Sequence, residues 1–250
     1  MKNKNYNKKD KINIPKQDLE FSDKQYLDLV GFVSHELKGI LSSVVLNTYN
    51  LQNGLLGELN DSQKKTLKSI SRNLDYLTTT VRNFLNFSRI EKQELSLNKF
   101  RCLLKEHIVD VSVDSYSQAA ADKDIKIVNK IIPSLEVEVD SGLLQIALNN
   151  LLSNAIKYGR EGKEIIISTE LDKDKVIVEI YNQGEPIDKT DIDKLFKKFS
   201  RLRYRGTEKI KGTGIGLYIV KEIINEHNGD IWVEPKPEGN SFKFSLKVVQ

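Results

Sequence analysis

Three groups of residues in this chain have types and spacings suited to phosphate chemistry. The first is His35 with Glu36, inside Phe32-Val33-Ser34-His35-Glu36-Leu37-Lys38-Gly39-Ile40-Leu41. An unperturbed imidazole, with a pKa of about 6.5, is mostly neutral at pH 7 and nucleophilic. A carboxylate beside it can hold one ring nitrogen and raise the nucleophilicity of the other. The second is Asn149-Asn150-Leu151-Leu152-Ser153-Asn154-Ala155-Ile156-Lys157-Tyr158. At about 100° per helical residue, Asn150, Asn154 and Lys157 share one face. Two amides and an ammonium suit phosphate oxygens and a hydrated Mg²⁺, which takes oxygen ligands and keeps several waters. The third is Lys211-Gly212-Thr213-Gly214-Ile215-Gly216-Leu217. Alternating glycines feeding a helix N-terminus present free N–H groups and a positive dipole end, which is an anion site. The spacing is neither that of a dinucleotide fingerprint nor that of a Walker loop.

Two further stretches flank these groups. Asn182-Gln183-Gly184-Glu185-Pro186-Ile187 follows an apolar strand; a side chain there can read an adenine amino group while Gly184 lets the base approach the backbone. Between Ser200 and Lys211, Arg201, Arg203, Arg205, Lys209 and Lys211 read as a basic lid over phosphates. Each group has a plainer reading in isolation: a surface histidine, a polar helix face, a turn, a solvated charge run. Their co-occurrence in one chain is what carries the argument.

The positioning elements follow from hydrophobic periodicity. Residues 1–21 show none; six lysines and three acids among the first 20 residues read as a flexible basic tail, a membrane-surface patch being the minor alternative. Ser22-Asp23-Lys24-Gln25 has the form of a capping box, with Phe21 and Tyr26 as its hydrophobic staple. Val30, Val33, Leu37, Ile40 and Val44 then form an a/d seam, continued by Leu51 and Leu55. With Val30, Leu37 and Val44 at a, His35 is an f position, farthest from the seam. Gly54 and Gly57 break the helix, Asn60-Asp61-Ser62 caps a second one, and Leu67, Ile70, Leu74, Leu77, Val81 and Phe84 supply its seam. Two seamed helices with a short turn predict an antiparallel hairpin over residues 22–95, and two uncovered seams predict half of a dimeric four-helix bundle. The alternative is a hairpin packed on its own C-terminal domain.

From residue 96 to 250 the period changes. Strands are expected at 99–102, 125–128, 135–139, 165–167, 176–180, 231–233 and 242–246, with helices at 104–121, after Asp140, and at 217–227. This is an α+β pattern, a mixed sheet with helices on one face. Of 250 residues, 39% are apolar and 30% charged, enough for a real core. A net charge of +4 with mixed signs gives no case for nucleic acid. Cys102 is the sole cysteine, which excludes a disulfide framework and fits a reducing, cytoplasmic compartment. No apolar run approaches the roughly 18 residues of a membrane span.

In order along residues 25–248, S-H-E-L-K, N-N-L-L-S-N-A-I-K-Y, N-Q-G-E-P-I, L-F-K-K-F-S-R and K-G-T-G-I-G-L resemble the sensor histidine kinases of two-component signalling. In that family a HisKA-type dimerisation and phosphotransfer hairpin precedes an α/β sandwich, the GHKL (Bergerat) ATP-binding domain. The resemblance implies that His35 is the phosphoacceptor and that Glu36 activates it. It implies that Asn154 binds Mg²⁺ beside Asn150, and that Lys157 and Tyr158 contact phosphate and adenine. It places Asn182 at the adenine-reading position, Arg201 near the γ-phosphate, and Gly212, Thr213, Gly214, Gly216 and Leu217 in the phosphate loop. Phe196 and Phe199 match an aromatic pair that anchors the lid. ATP and Mg²⁺ are the implied cofactors, a second copy and a response-regulator receiver domain the implied partners.

Three positions depart from the family pattern. Ile40 stands where many members have a helix-kinking proline. Gly39 stands where members that dephosphorylate their partner carry Thr or Asn, which orients a water; weak or absent phosphatase activity is therefore expected. The adenine box has Asn182 for the usual Asp and Pro186 for its second glycine. The expected reaction is autophosphorylation of His35 followed by transfer to a receiver aspartate. The rivals are a nucleotide-binding pseudokinase or dimeric adaptor, and a clamp-type ATPase; the latter needs a catalytic acid in the Asn-rich helix, where none is found.

Overall fold

The computed structural model describes residues 23–202 and 212–249. The tail, the cap at Ser22 and the basic residues Arg203, Arg205, Lys209 and Lys211 lie outside the described residues, as do the side chains of Tyr26, Val30 and His35. Helices α1 (Asp23–Gln52) and α2 (Asp61–Glu91) form the expected antiparallel hairpin. The turn is built on Gly54 and Gly57, both with positive φ. At its far side Asn60 and Gln63 form a reciprocal capping box, each bond 2.9 Å. Leu41 and Thr48 of α1 are buried, as are Leu67 and Val81 of α2, and an ion pair of Asp28 with Lys92 sets the pairing near the base. The seam residues Val33, Leu37, Ile40 and Val44 are nevertheless exposed, together with Ile70 and Leu77 of α2. One face of the hairpin is thus spent internally and another stays open.

The second unit begins with β1 (Phe100–Leu103), which pairs antiparallel with β3 (Glu136–Val139). A five-stranded sheet follows in the order β2 (Lys126–Lys130), β4 (Glu164–Asp172), β5 (Lys175–Gln183), β7 (Gly239–Lys247), β6 (Ile231–Lys236). Among the described residues only the β2–β4 pair is parallel. In β5 burial alternates residue by residue, so one face is covered. The cover is α3 (Val111–Ala121), α4 (Ser141–Tyr158) and α6 (Gly216–Glu226). Ile165, Ile167, Val178, Ile180 and Phe244 from the sheet meet Leu148, Leu151, Leu152, Ile219 and Ile223 from the helices in one core. Pro235, which lacks a ladder donor, sits in β6, an edge strand where it is tolerated. A four-residue α5 (Ile192–Leu195) precedes the phenylalanine pair.

Two features differ from the periodic reading. The stretch expected to be helical from residue 104 opens as a π-helical turn, Lys105–Asp110. Side-chain bonds hold it there: Asp110 accepts from Asn129 Nδ2 at 2.6 Å and from Lys105 Nζ at 2.7 Å, and His107 Nδ1 accepts the Leu103 N–H at 3.0 Å. The hairpin, besides its open face, also packs on its own α/β unit, because Phe87 of α2 joins the main core. Among the described residues no helix is long and apolar enough to cross a membrane.

One buried group ties three segments together. His227, 4% exposed, follows α6. Its Nε2 accepts the backbone N–H of Asp140 at 3.0 Å, so Nδ1 carries the proton and donates to Ile223 O at 2.7 Å. Asp140 in turn caps α4 through Leu143 N–H at 3.0 Å and takes the Asn98 N–H at 3.1 Å. Burial pushes the His227 pKa below its ordinary 6.5, helped by Lys99 and opposed by the Ile223 bond, Asp140 and Glu226. The unfolded chain therefore binds a proton near pH 6.5 that the folded chain resists, and stability present above that pH falls as pH drops below it. Urea midpoints are expected to decline from pH 7 to pH 5 and to decline less steeply in His227→Gln. Parallel pH profiles for the two proteins would show that His227 is not the titrating group.

Candidate functional site

The site lies where the C-terminal half of α4 faces the N-terminus of α6. The open cavity there has about 1170 Å³ of empty space including its mouth. Asn150, Asn154, Lys157 and Tyr158 line it from α4, and Ser153 joins them. They face inward because Leu144, Ala147, Leu148, Leu151 and Ala155 commit the opposite stripe of the helix to the core. Gly212, Thr213, Gly214, Gly216 and Leu217 form the facing wall. Fully buried Ile215 anchors that loop, and the first free N–H groups of the 11-residue α6 lie at its end. Asn182 and Arg201 complete the sequence-derived set.

Local geometry explains the glycines differently from one another. Gly216 has no room for a side chain, since a Cβ there would stand 2.7 Å from Asn150 Oδ1. Gly214 has φ +73° and would meet the Phe199 carbonyl carbon at 2.7 Å. Gly212 faces open space. Gly184, expected to admit an adenine base, does not line the cavity. It pairs with Gly159 in an isolated bridge, and a Cβ on it would stand 2.5 Å from Tyr158 O. Its missing side chain lets the end of α4 close on the end of β5, a packing role in addition to the expected base approach.

The inner end is held by polar bonds. Asn182 is 2% exposed and donates weakly to Gln183 O at 3.4 Å. Asn240 Nδ2 donates to Glu185 O, and Asn240 Oδ1 accepts from Ile187 N–H, both at 2.8 Å, so the Asn182–Ile187 turn is pinned to β7. Lys157 has no ion-pair partner among the described residues, and burial lowers its pKa. An anion in the cavity would restore it, so the electrostatics favour a phosphate-bearing ligand. Asn150 Nδ2 donates to Ile146 O at 2.9 Å, leaving its oxygen turned toward Gly216. Among the described residues no group of three His, Cys, Asp or Glu side chains could hold a metal ion. A cation here fits the amide oxygens of Asn154 and Asn150 together with ligand phosphates, a donor set suited to Mg²⁺.

His35 and Glu36 are on α1, outside this cavity. The stem still reaches it, because Thr79 and Asn83 of α2 form part of the lining. Neither was singled out by sequence reasoning. The available signal was a polar residue at 83 in the 3–4 stripe Tyr76, Thr80, Asn83, Phe87, Ile90. Phe199, placed among lid anchors, packs edge-on against Phe87 of the stem at 5.6 Å, while Phe196 packs on the core.

Comparison with known proteins agrees with this architecture. Residues 25–93 match the model of the His Kinase A (phospho-acceptor) domain, and residues 139–250 match that of the histidine kinase-, DNA gyrase B-, and HSP90-like ATPase. The chain is 26% identical over 230 residues to the sensor histidine kinase WalK of Bacillus subtilis, covering 91% of this chain and 37% of WalK. The chain thus spans little more than a third of that relative. The catalytic domain of the histidine kinase ThkA is 30% identical, with a TM-score of 0.54 over 60% of this chain and 95% of that domain. Full-length ShkA, solved in complex with AMPPNP, shares the fold at 21% identity, with a TM-score of 0.67 over 89% of this chain and 46% of that one.

The glycine geometry makes a ligand-independent prediction. Gly184→Ala is expected to lower the melting temperature by several degrees, about 2 kcal/mol of overpacking against backbone, whereas Gly212→Ala is expected to leave it unchanged. Thermal unfolding followed by circular dichroism checks this; equal melting temperatures for the two variants would remove the packing role of Gly184.

Proposed function

The chain belongs to the histidine kinase family, with a HisKA phosphoacceptor hairpin ahead of a GHKL-type ATPase domain, and from that premise we propose that it autophosphorylates His35 from ATP and passes the phosphoryl group to an aspartate of a response regulator. The observation that carries the proposal is the cavity, which gathers Asn150, Asn154 and Lys157 with the α6 glycine loop in a chain whose stem holds His35. Phosphoryl transfer depends chiefly on positioning and charge neutralisation. In this reading Asn182 and Tyr158 hold the base. Lys157, Arg201 and the N–H groups at the start of α6 neutralise the triphosphate. Asn154, with Asn150 beside it, would hold Mg²⁺, which when bound to phosphate oxygens offsets their charge. A bare ring nitrogen of His35 attacks the γ-phosphorus in line, the bond from phosphorus to the ADP oxygen breaks, and the ring proton passes to Glu36. The domain boundary near residue 95, with a hinge at 92–98, lets the ATPase domain swing onto the stem.

The open seam of Leu37, Ile40 and Val44 supports a homodimer through residues 22–95, since a monomer would leave that apolar row in water. The receiver domain would meet the stem near His35. The adaptor alternative binds nucleotide without labelling. The clamp-ATPase alternative finds only amides where it needs an acid on α4.

Incubation with γ-labelled ATP and Mg²⁺ is expected to give acid-labile, base-stable label on the chain. His35→Gln should abolish it while ADP binding persists, and Asn154→Asp should weaken ADP binding and slow labelling by roughly 100-fold or more. Label that survives in His35→Gln would refute the assignment; binding without label would leave the adaptor. Light scattering of the same sample should report a dimer, and Leu37→Asp a monomer.

Gly39 supports weak phosphatase activity toward the regulator. Nothing lies within 4 Å of a Cβ built there, so Gly39→Thr fits without displacement. That variant is expected to accelerate dephosphorylation of a labelled receiver domain, measured as label lost per minute. Equal, rapid loss with both proteins would refute the role given to Gly39.

A further inference from the structure

The stem is more than a carrier for His35, because one stripe of α2 lines and flanks the cavity. Asn83, 9% exposed, lines the cavity and donates its Nδ2 to Asn150 Oδ1 at 3.3 Å. That oxygen is one of the amide oxygens proposed to serve the metal and phosphates. A carbonyl oxygen that accepts from a neighbouring amide has less to offer a cation or its waters. On the other side the same oxygen abuts Gly216, so it is held between α2 and the start of α6.

A second contact fixes the stripe two turns further along. Glu91 accepts from Tyr218 Oη at 2.8 Å and pairs with Lys198 at 2.6 Å, one carboxylate oxygen for each. Lys198 Nζ also stands over the rings of Phe87 and Tyr218, at 5.9 and 5.2 Å. Tyr218 lies in the first turn of α6, directly after the phosphate loop, and Lys198 and Phe199 lie at the start of the segment leading to Arg201. The clamp therefore grips the cavity wall from both flanks while Asn83 fills its floor.

We infer that α2 is a gate on the nucleotide site: docking of the Asn83–Glu91 stripe takes Asn150 from the ligand, and nucleotide and stem compete for the same face of the α/β domain. The inference rests on the nucleotide reading of the cavity. Its geometry also bears on phosphotransfer. Counting from the Asp28–Lys92 pair at about 1.5 Å per residue, Asn83 stands within about 3 Å of the level of His35 along the stem. Nucleotide that displaces α2 thus frees the domain at the height where the phosphoacceptor sits. The contacts mix these polar pairs with the aromatic packing of Phe87 on Phe199 and Tyr218.

The test is calorimetric titration of the full chain with ADP and Mg²⁺, so that no phosphoryl transfer intrudes. Asn83→Ala is expected to bind ADP about 3- to 10-fold more tightly than the native protein, the worth of one neutral hydrogen bond. Glu91→Ala, outside the cavity lining, is expected to tighten binding about threefold by loosening the clamp. Unchanged affinity in either variant overturns the gate. Weaker binding by Asn83→Ala also overturns it and makes Asn83 a nucleotide ligand instead. Absence of ADP binding in every form overturns the nucleotide reading itself and the gate with it. Should Asn83→Ala fail to fold, as judged by its helical circular dichroism, Glu91→Ala decides alone.

Discussion

Everything functional in this molecule depends on how α4 and α6 lie against each other on one face of the sheet. The cavity is the space between the C-terminal half of one and the N-terminus of the other, so a small change in their crossing would move amides relative to the glycine loop. Two contacts set the arrangement. At the far end His227 joins the end of α6 to the start of α4 through the Asp140 backbone. At the near end Gly216 brings the start of α6 against Asn150. Between them the helices share Leu148, Leu151, Ile219 and Ile223 in a fully buried core. Burial of apolar area supplies the affinity between the layers, while the two polar ends supply register.

The stem solves a different problem with the same material. A helix pair presents more apolar surface than two helices can hide from water. Leu41, Leu67 and Val81 are satisfied within the hairpin, Phe87 and Ile90 against the α/β unit, and Leu37, Ile40 and Val44 by neither. The three destinations differ in permanence. The intrahairpin contacts are local in sequence and capped by Asn60. The outward seam is continuous and apolar, as a lasting association requires. The stripe facing the α/β unit mixes Phe87 with Asn83 and Glu91, so separating it returns polar groups to water rather than stranding them.

What could be read from the sequence was what is local. The a/d seam repeats every three or four residues, Asn60 and Gln63 cap within one turn, and the alternating glycines announce a helix N-terminus directly. The polar face of α4 was legible because its apolar stripe is equally regular. What escaped depends on partners distant along the chain. The π-helical turn at 105–110 rests on Asn129, and the close approach at Gly184 is to the carbonyl of Tyr158. Asn83 meets Asn150 across 67 residues, and an asparagine in a long helix with many polar neighbours looks like surface.

The charge distribution around the cavity links these readings. Lys157 is half-buried without an ion-pair partner among the described residues, and desolvation lowers its pKa. Among the described residues Glu185 is the one acid that lines the cavity. Taking a lone charge partly out of water costs free energy unless an opposite charge offsets it. Leaving it unpaired beside two asparagines and a helix N-terminus makes sense where the missing negative charge arrives with a ligand. The acids that could have neutralised the region are instead on the stem: Glu91 holds Lys198 at the cavity's flank. Negative charge from the stem and negative charge from a bound ligand's phosphates would thus address neighbouring cations of one domain, Lys198 and Lys157.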